Sequence, residues 1–417
     1  KTDGNLGYDT APQFSPTGNL SWLQMKRDGY ESDKNDIIVE FKGIKTNLTA
    51  NWDGTVDNFI WSKDGKNVYF VAPVDGTKQL FTVNFPGLTR IAIQVRQLTN
   101  GDFDVNDLVG FAGDDIIVTR NDMNHAPEIY SFNLKKNTWK QISNVNTDTY
   151  KTLALSKTEK RYVTTTDGKK MLVWVILPPN FDASKKYPTL LFCQGGPQSA
   201  LTQSYSFRWN FSLMAAKGYV VVAPNRRGMP GHGVEWNEQI SKDWGGQVMD
   251  DYLSAIDDVS KENYVDKSRL GCVGASYGGY SVFYLAGIHK NRFKTFIAHD
   301  GVFNTVSMLG TTEEVFFNNW DFGGPYWEKD NAAAQKSYTV FNPATMVQNW
   351  NRPILIFQGG KDFRVPIGQG QEAFQAAQLR GLKSRFVYFP DENHWVLHPQ
   401  NAQVWQGEFF KWLNETL

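Results

Sequence analysis

Short alternating apolar runs separated by tight turns occupy roughly the first 155 residues. The segments Phe14–Leu20 and Trp61–Val68 each place an aromatic residue and a serine before a turn closed by glycine, and the β-rich runs LSWL and VYFVA follow. Ser15 and Ser62 are 47 positions apart, and a weaker copy begins at Phe111. Such turns between alternating apolar runs indicate β-hairpins. A repeat of about 40–50 residues with four short strands is typical of a β-propeller blade.

These repeats predict part of a propeller over residues 1–157, with an antiparallel sandwich as the alternative. Three repeats do not close a ring, because propellers have about 4–8 blades. We therefore expect about three blades and an incomplete propeller. The chain also opens with KTDGNLGYDT, which has neither an initiator Met nor a signal region. The expectation is an internal start, with something upstream removed by processing or by the choice of segment.

From residue 158 onward, continuous apolar runs alternate with segments of helical length. The strand-like runs are MLVWVILPP, PTLLFC, GYVVVAP, RLGCVGA, FKTFIAHD, RPILIFQGG and RFVYFP, and the helix-length segments are QVMDDYLSAIDDVSKE, GYSVFYLAGIHK, GQGQEAFQAAQLRGL and WQGEFFKWLNETL. Continuously apolar strands are expected where helices cover both faces of a sheet. The pattern predicts an α/β domain over residues 158–417, with a doubly wound and mostly parallel sheet.

Composition narrows the class of protein. A length of 417 residues corresponds to two or three domains. The 43 basic and 43 acidic residues balance, so no net field recruits nucleic acid or an anionic membrane, and no apolar run reaches the ~18 residues of a transmembrane helix. The many aromatic residues argue against disorder. Cys193 and Cys272 lie in apolar runs and are expected to be buried, inert thiols.

The motif Gly274-Ala275-Ser276-Tyr277-Gly278 predicts a nucleophilic serine. It follows an apolar strand and precedes a helix expected to begin near Gly279. A sharp strand-to-helix turn of this kind exposes the serine hydroxyl above the sheet and needs small residues two positions before and after it. A glycine-rich turn with a bystander serine is the alternative.

A serine nucleophile needs a histidine base and an orienting carboxylate, which follow it along the chain in this fold. Asp362 comes after the apolar run 353–357, and His394 comes after the run 385–389. His398 lies further from its strand, and Asp391 shares a short loop with the histidine. We therefore predict Ser276, Asp362 and His394 as the catalytic residues.

An acyl-transfer intermediate also needs donors for its oxyanion. The backbone N–H of Tyr277 is one candidate, because it follows the predicted nucleophile. The loop Gln194-Gly195-Gly196-Pro197 ends an early strand, and its glycines allow backbone to approach a substrate closely. An ordinary glycine-rich turn is the alternative for this loop.

These motifs together resemble the prolyl oligopeptidase family of serine peptidases, and within it the acylaminoacyl-peptidase and dipeptidyl-peptidase-5 branch. The similarity extends over nearly the whole chain and rests on Gly-Gly-Pro at 195–197, NRRGMPGHG, Asp-Trp-Gly at 243–245, GASYGGY, GGKDFRVP and Asn-His at 393–394. The resemblance implies a β-propeller before an α/β-hydrolase domain, and cleavage of short peptides by Ser276, Asp362 and His394.

The resemblance also implies roles for further residues. Arg364 falls where family members place a side chain that contacts the substrate backbone, with a surface arginine holding its loop as the alternative. The family has a pocket for the substrate residue that precedes the scissile bond. The residues that fall in or near the region lining this pocket are Tyr277, Val302, Phe303, Trp320 and Val365, with ordinary core packing as the alternative. Gln194 stands where proline-specific members carry an oxyanion-binding tyrosine. We therefore expect the second oxyanion donor to be the backbone N–H of Gly195, and no strict proline preference.

The sequence thus predicts a serine peptidase that releases dipeptides from short peptides after Ala or another apolar residue. An acylaminoacyl-peptidase or a carboxylic-ester hydrolase with the same triad is one alternative, and a catalytically silent propeller–hydrolase scaffold is another. No metal or other cofactor is implied, since no H-E-x-x-H or paired-cysteine motif occurs. Nucleic acid and membrane partners are not expected. The oligomeric state and compartment stay open, with a lean toward a periplasmic or secreted enzyme.

Overall fold

The computed structural model describes residues 2–417, which divide into two compact units. The N-terminal unit comprises residues up to 153 together with 200–205 and 229–238, and the C-terminal unit comprises 154–199, 206–228 and 239–417. The predicted boundary between 157 and 158 stays a prediction.

The described part of the N-terminal unit contains three antiparallel sheets of four strands, each formed by consecutive strands. The strands are β1 (Asp9–Phe14), β2 (Leu20–Gln24), β3 (Asp36–Phe41) and β4 (Ile44–Asn47); β5 (Asn58–Trp61), β6 (Asn67–Val74), β7 (Thr77–Asn84) and β8 (Val95–Gln97); and β9 (Asp104–Ala112), β10 (Asp115–Asp122), β11 (His125–Asn133) and β12 (Thr138–Gln141). A short helix, α1 (Thr147–Tyr150), follows. The three sheets are the blade-like repeats that the sequence predicted.

The repeated sequence segments occupy equivalent places in these sheets. Each forms the turn between the first and second strands, and Gly18, Gly65 and Gly113 all have φ between 64° and 81°. In the first two copies, the serine amide donates to a carbonyl across the turn, from Ser15 to Asn19 and from Ser62 to Asn67, at 2.8 Å. The repeat in the sequence is therefore a repeat of turn chemistry.

Apolar side chains from adjacent sheets pack against each other within this unit. One core joins the first and second sheets, and a second core joins the second and third. The first includes Leu23, Ile37, Phe59, Val68 and Phe81, and the second includes Val71, Leu80, Val105, Ile116 and Val118. The second sheet is thus buried on both faces, as in a stack of blades.

Two segments from later in the chain complete the N-terminal unit through hydrogen bonds. In the first, Thr202 Oγ1 donates to Asp104 Oδ2 at 2.5 Å, and the Gln203 carbonyl accepts from Asn121 Nδ2 at 2.8 Å. In the second, the Gly231 carbonyl accepts from the Asp75 amide at 3.0 Å. These excursions leave no simple trace in the apolar pattern, because the first is a loop and the second contains only a five-residue helix, Val234–Glu238.

An eight-stranded sheet forms the centre of the described C-terminal unit, in the order β13-β14-β16-β15-β17-β18-β19-β20. Its strands are β13 (Lys157–Thr164), β14 (Lys170–Leu177), β15 (Tyr187–Cys193), β16 (Val220–Pro224), β17 (Val265–Ala275), β18 (Thr295–His299), β19 (Ile354–Gly359) and β20 (Ser384–Phe389). The first two strands are antiparallel to their neighbours, and the rest run parallel. The predicted α/β architecture with a mostly parallel sheet is confirmed.

Helices α2, α4, α5, α9 and α10 pack on this sheet. The helices are α2 (Phe211–Ala216), α4 (Gln247–Val259), α5 (Tyr277–Ile288), α6 (Thr305–Thr311), α7 (Val315–Phe322), α8 (Ala332–Thr339), α9 (Ile367–Leu379) and α10 (Pro399–Thr416), with a 3₁₀ helix at Pro343–Asn349; α3 (Val234–Glu238) lies in the N-terminal unit. Strands β16, β18 and β19 are buried along their whole length, which explains their continuously apolar sequences.

Two further sequence expectations concern burial. Cys193 and Cys272 are both buried free thiols on adjacent strands, with their Sγ atoms 3.7 Å apart. Over residues 2–417, no helix has the length and apolar character that crossing a bilayer requires.

Candidate active site

Ser276 occupies a strained turn between β17 and α5. Its φ of 60° and ψ of −124° are rare for a residue with a side chain, and its amide donates to the His299 carbonyl at 2.9 Å. Close approach explains the flanking glycines: a Cβ at Gly278 would lie 2.0 Å from the Cys193 carbonyl oxygen. Helix α5 begins at Tyr277, two residues earlier than expected, because the chain turns directly from strand into helix at the serine.

Asp362 lies in the loop after β19, where it is almost fully buried. Its Oδ1 accepts from the backbone amides of Arg364 at 3.0 Å and Val365 at 2.8 Å. Its Oδ2 lies 2.6 Å from Nδ1 of His394. Two amides therefore fix the carboxylate while its other oxygen holds the imidazole.

Backbone hydrogen bonds between two loops bring these side chains together. The Gly360 amide donates to the Phe389 carbonyl and the Lys361 amide donates to the Glu392 carbonyl, both at 2.8 Å. The loops after β19 and β20 are thus joined just before Asp362 and His394. The His394 carbonyl also accepts from an Arg208 guanidinium nitrogen at 2.9 Å.

The two rival residues from the sequence analysis lie in other surroundings. Asp391 is exposed, and its carboxylate faces Lys361 at 3.7 Å. Nδ1 of His398 lies 2.9 Å from Oε1 of Glu392, and its ring is half exposed. Neither residue is hydrogen-bonded to Asp362 or His394.

The glycine loop after β15 lies directly against the serine. A Cβ at Gly195 would stand 3.3 Å from Cβ of Ser276, so only a glycine backbone fits at this distance without a shift. Tyr277 is the first residue of α5, and first-turn amides have no acceptor inside their own helix. Both predicted oxyanion donors therefore border the serine.

Arg226 supports this region and was not singled out from the sequence. Its fully buried guanidinium donates to the carbonyls of Pro197 at 2.6 Å and Gln194 at 3.1 Å, on either side of the glycines. It also lies 4.7 Å from the centre of the Tyr277 ring. An arginine two residues after the end of a buried apolar strand was the available signal.

The residues assigned by resemblance to substrate contacts fall into two groups. Arg364 and Trp320 are partly exposed: Arg364 pairs with Glu314 at 2.6 Å, and the Trp320 indole donates to Ser241 at 3.3 Å. Val302, Phe303 and Val365 are buried. Phe303 packs against the rings of Phe283 and Trp350, and the Val365 amide binds Asp362. Tyr277 is buried as well, and its hydroxyl donates to the Trp244 carbonyl at 2.7 Å. The substrate-contact role stays a prediction for all six residues.

A second buried carboxyl lies beside the pair formed by Asp362 and His394 and was not singled out from the sequence. Asp300 directly follows β18, and one oxygen of Asp300, one oxygen of Asp362 and one ring nitrogen of His394 lie within 4.8 Å of one another. Burial and the nearby Asp362 raise the pKa of Asp300 well above its usual value. The signal was available, because an aspartate that ends a buried apolar strand occupies the same kind of position as Asp362.

The arrangement has the parts needed for acyl transfer. A serine hydroxyl is held at a sharp turn, a histidine is oriented by a buried carboxylate, and two backbone amides lie next to the serine. Such a group of residues can activate the hydroxyl for attack on a carbonyl and stabilise the resulting oxyanion. The described residues thus form a candidate hydrolytic centre at the carboxyl edge of the parallel strands.

Comparison with known proteins gives matches over most of the chain. Residues 205–417 match the Prolyl oligopeptidase family, and residues 29–172 match the Dipeptidyl peptidase IV N-terminal region. The chain is 47% identical over 419 residues to Dipeptidyl-peptidase 5 of Porphyromonas gingivalis, covering all of this chain and 60% of that protein. It is 48% identical over 421 residues to Dipeptidyl-peptidase 5 of Porphyromonas endodontalis, with the same coverage. The chain thus spans about three fifths of these relatives.

Solved structures share the fold at lower identity. The acylaminoacyl peptidase of Pyrococcus horikoshii superposes with a TM-score of 0.84 at 20% identity, over 97% of this chain and 62% of that one. Porphyromonas gingivalis dipeptidyl peptidase 4 gives a TM-score of 0.79 at 20% identity, over 99% and 57%.

Proposed function

Since the chain belongs to the prolyl oligopeptidase family, as its sequence motifs predicted, we propose that it carries the catalytic machinery of a serine dipeptidyl peptidase. The observation that carries the proposal is the 2.6 Å contact between His394 Nδ1 and Asp362 Oδ2, at the same sheet edge as the strained Ser276. The relatives named Dipeptidyl-peptidase 5, at 47% and 48% identity, support dipeptide release.

In the proposed mechanism, Ser276 Oγ attacks the carbonyl carbon of the scissile bond. His394 takes the hydroxyl proton through Nε2 and then gives it to the leaving amine, while Asp362 holds Nδ1 and stabilises the imidazolium. The backbone N–H groups of Tyr277 and Gly195 donate to the oxyanion. Water then hydrolyses the acyl-enzyme by the same proton transfers in reverse.

The proposed substrates are short peptides cleaved after Ala or another apolar residue. Gln194 occupies the position of the oxyanion-binding tyrosine of proline-specific relatives, so a backbone amide takes over that role and no proline preference is expected. Within this proposal, the exposed Trp395 ring and the Arg364 guanidinium, 5.1 Å apart, provide an apolar and a cationic surface beside His394.

Chromogenic substrates test the proposal. We expect turnover of Ala-Ala and Gly-Phe p-nitroanilides and little turnover of acetyl-Ala p-nitroanilide. Preference for the acetylated substrate would indicate an acylaminoacyl-peptidase, and exclusive turnover of butyrate esters would indicate an esterase. Either result would contradict dipeptidyl release.

Covalent labelling tests the nucleophile separately. A fluorophosphonate probe should label the folded chain at Ser276, and Ser276→Ala should abolish both labelling and turnover. Ser281→Ala, a neighbouring serine whose hydroxyl donates to a helix carbonyl, is the matched control that should still label. A folded chain that never labels would support the silent scaffold instead.

A further inference from the structure

The segment that carries His394 is held at its first end by the backbone of Glu392. This segment lies between β20 and α10. The Glu392 carbonyl accepts from the Lys361 amide at 2.8 Å, and Lys361 directly precedes Asp362. The chain is therefore tied to the loop of Asp362 two residues before the proposed base.

The side chain of Glu392 holds the other end of the same segment. Its Oε2 accepts from the Leu397 amide at 2.9 Å, and its Oε1 accepts from the His398 amide at 3.1 Å. Oε1 also accepts from Asn401 Nδ2 at 2.7 Å and lies 2.9 Å from Nδ1 of His398. Residues 393–396 therefore form a short loop whose two ends are both bound to Glu392.

Packing and helix capping contribute little to holding this loop. Trp395 and Leu397 are exposed, and Val396 supplies the buried apolar side chain. His398, the N-cap residue of α10, makes no capping hydrogen bond with its side chain. Fixing exposed backbone costs conformational entropy, and hydrogen bonds to an ionised acceptor are strong enough to offset much of that cost. The carboxylate is therefore the main constraint on the second end of the loop.

Glu392 is a buried anion, with 1% of its surface exposed. Burial by itself raises the pKa of a carboxyl, but the hydrogen bonds from Leu397, Asn401 and His398 outweigh burial and lower the pKa of Glu392 below its usual value. A glutamine has one acceptor oxygen, and its NH₂ group would face either the Leu397 amide or the donors of the other two residues. Removal of the charge therefore leaves donors facing donors.

We propose that Glu392 is a positioning residue for the base: it holds the backbone of His394 by binding both ends of the loop 393–396. This inference rests on the proposed triad. With the backbone held, the imidazole meets Asp362 through Nδ1 at 2.6 Å, and Nε2 is left for proton transfer from the serine. Precise placement matters, because a displacement of about 1 Å in a catalytic group can cost about a hundredfold in rate.

Glu392→Gln tests the proposal, because it removes the charge and keeps the shape of the side chain. We expect kcat for Ala-Ala p-nitroanilide to fall about ten- to a hundredfold and KM to change less than about threefold, since the base acts in the chemical step. Labelling of Ser276 by the fluorophosphonate probe should slow by a similar factor, because it needs the same base. A folded variant with the kcat and labelling rate of wild type would overturn the proposal.

A control variant separates positioning from a general loss of stability. Glu408 of α10 accepts from Arg385 of β20 at 2.8 Å, so it joins the same two elements at a place outside the loop 393–396. Glu408→Gln makes the same chemical change there and should leave kcat within about twofold, since partly exposed ion pairs contribute little. Denaturant unfolding of both variants gives the reference for stability. If kcat falls equally in both, the effect does not come from the loop and the proposal is wrong.

A second pair of variants leaves Glu392 in place and is decisive if Glu392→Gln does not fold. Asn401→Asp places a second carboxylate where Asn401 Nδ2 now lies 2.7 Å from Glu392 Oε1, and like charges at this distance repel. At pH 8 we expect kcat to fall about tenfold in Asn401→Asp and less than about threefold in Asn401→Ala, which only removes a donor. Equal kcat values in these two variants would overturn the proposal. Failure of the proposed function looks different: the wild-type chain would then neither turn over substrate nor label at Ser276.

Discussion

Both units of the molecule contain side-chain-bearing residues with positive φ, and two pairs of them differ in where they lie in the two folds. In the N-terminal unit, Lys42 (51°) and Asp75 (45°) each precede a glycine in the two-residue turn between neighbouring antiparallel strands. In the C-terminal unit, Ser276 (60°) and Asp300 (44°) stand directly after the parallel strands β17 and β18.

The two pairs of residues have positive φ for different reasons. In the N-terminal unit positive φ reverses the chain, whereas in the C-terminal unit it accompanies the placement of reactive groups. Two-residue hairpin turns require positive φ, so the strain at Lys42 and Asp75 is a property of the fold. Parallel strands do not reverse through such turns, so positive φ at Ser276 and Asp300 has no such explanation. It occurs at the ends of two neighbouring parallel strands, and backbone strain at such positions is typical of functional sites.

The largest expected effect concerns Asp362, the carboxylate that is proposed to orient the base. Asp362→Asn should lower kcat by about 10⁴-fold, because an asparagine at this position no longer holds the imidazole in the required tautomer. Asp391→Asn, an exposed carboxylate in the loop that carries His394, is the control and should retain activity. Comparable losses in both variants would contradict the assignment of Asp362. Steady-state turnover of Ala-Ala p-nitroanilide provides the measurement.

A buried carboxyl in the N-terminal unit should affect stability rather than chemistry. Burial raises the pKa of Asp104 to about 6 from a usual value of 3.8, so the folded chain binds this proton more tightly than the unfolded chain. The contribution of this carboxyl to the free energy of unfolding is therefore fully present below pH 4. It is lost as the pH rises through 6, and the loss amounts to about 3 kcal/mol.

Urea unfolding between pH 4 and 7 measures this dependence. Asp104→Asn should remove the part of this dependence that Asp104 contributes, whereas Asp107→Asn, at an exposed carboxylate on the same strand, should leave the dependence unchanged. An unchanged pH slope in Asp104→Asn would show that the buried carboxyl does not control it.

A smaller effect on activity is expected where a buried side chain holds the glycine loop. Arg226→Met removes the donors to the carbonyls of Gln194 and Pro197, so the Gly195 amide is no longer fixed in position. We expect kcat to fall about ten- to a hundredfold with little change in KM, because the oxyanion forms only after substrate binds. Arg226→Lys should recover part of the loss. Arg269→Met, a partly exposed arginine on β17, is the control, and an equal loss there would exclude a specific role for Arg226.

The smallest expected effect is on the free energy of unfolding, and it is measured at one strained residue of each kind. Glycine relieves positive φ, so Lys42→Gly and Ser276→Gly should each raise the free energy of unfolding by about 1 kcal/mol. Only Ser276→Gly should also abolish turnover. Denaturant unfolding combined with activity measurements tests both statements. A Ser276→Gly chain less stable than wild type would show that the serine turn is not strained.

Much of the fold could be predicted from the sequence because its signals are local. The turn segments around Ser15 and Ser62 repeat because each sheet reverses its chain in the same way. This repeat could be recognised in the amino-acid sequence. Continuously apolar strands such as β18 and β19 identified a covered parallel sheet. The segments 200–205 and 229–238 were not assigned to the N-terminal unit, since hydrogen bonds such as that from Thr202 to Asp104 involve partners distant in the chain.

The candidate site also contains residues that could be predicted from the sequence and one that could not. Ser276, Asp362 and His394 could be proposed because each follows a recognisable strand and the chain order of such triads is known. Asp300 follows a strand just as clearly, yet no motif marks it. Its place in the site depends on lying within 4.8 Å of Asp362 and His394, which only the packing of three parallel strands decides.

The sequence by itself determined which elements form and which residues end them, because side-chain period, turn chemistry and strand composition act over a few neighbours. Tertiary structure decided which carboxyls are buried together, which loop Arg226 holds and which late segments join the N-terminal unit. These outcomes depend on the distance between residues far apart in the chain, and that distance is set only when the sheets and helices pack.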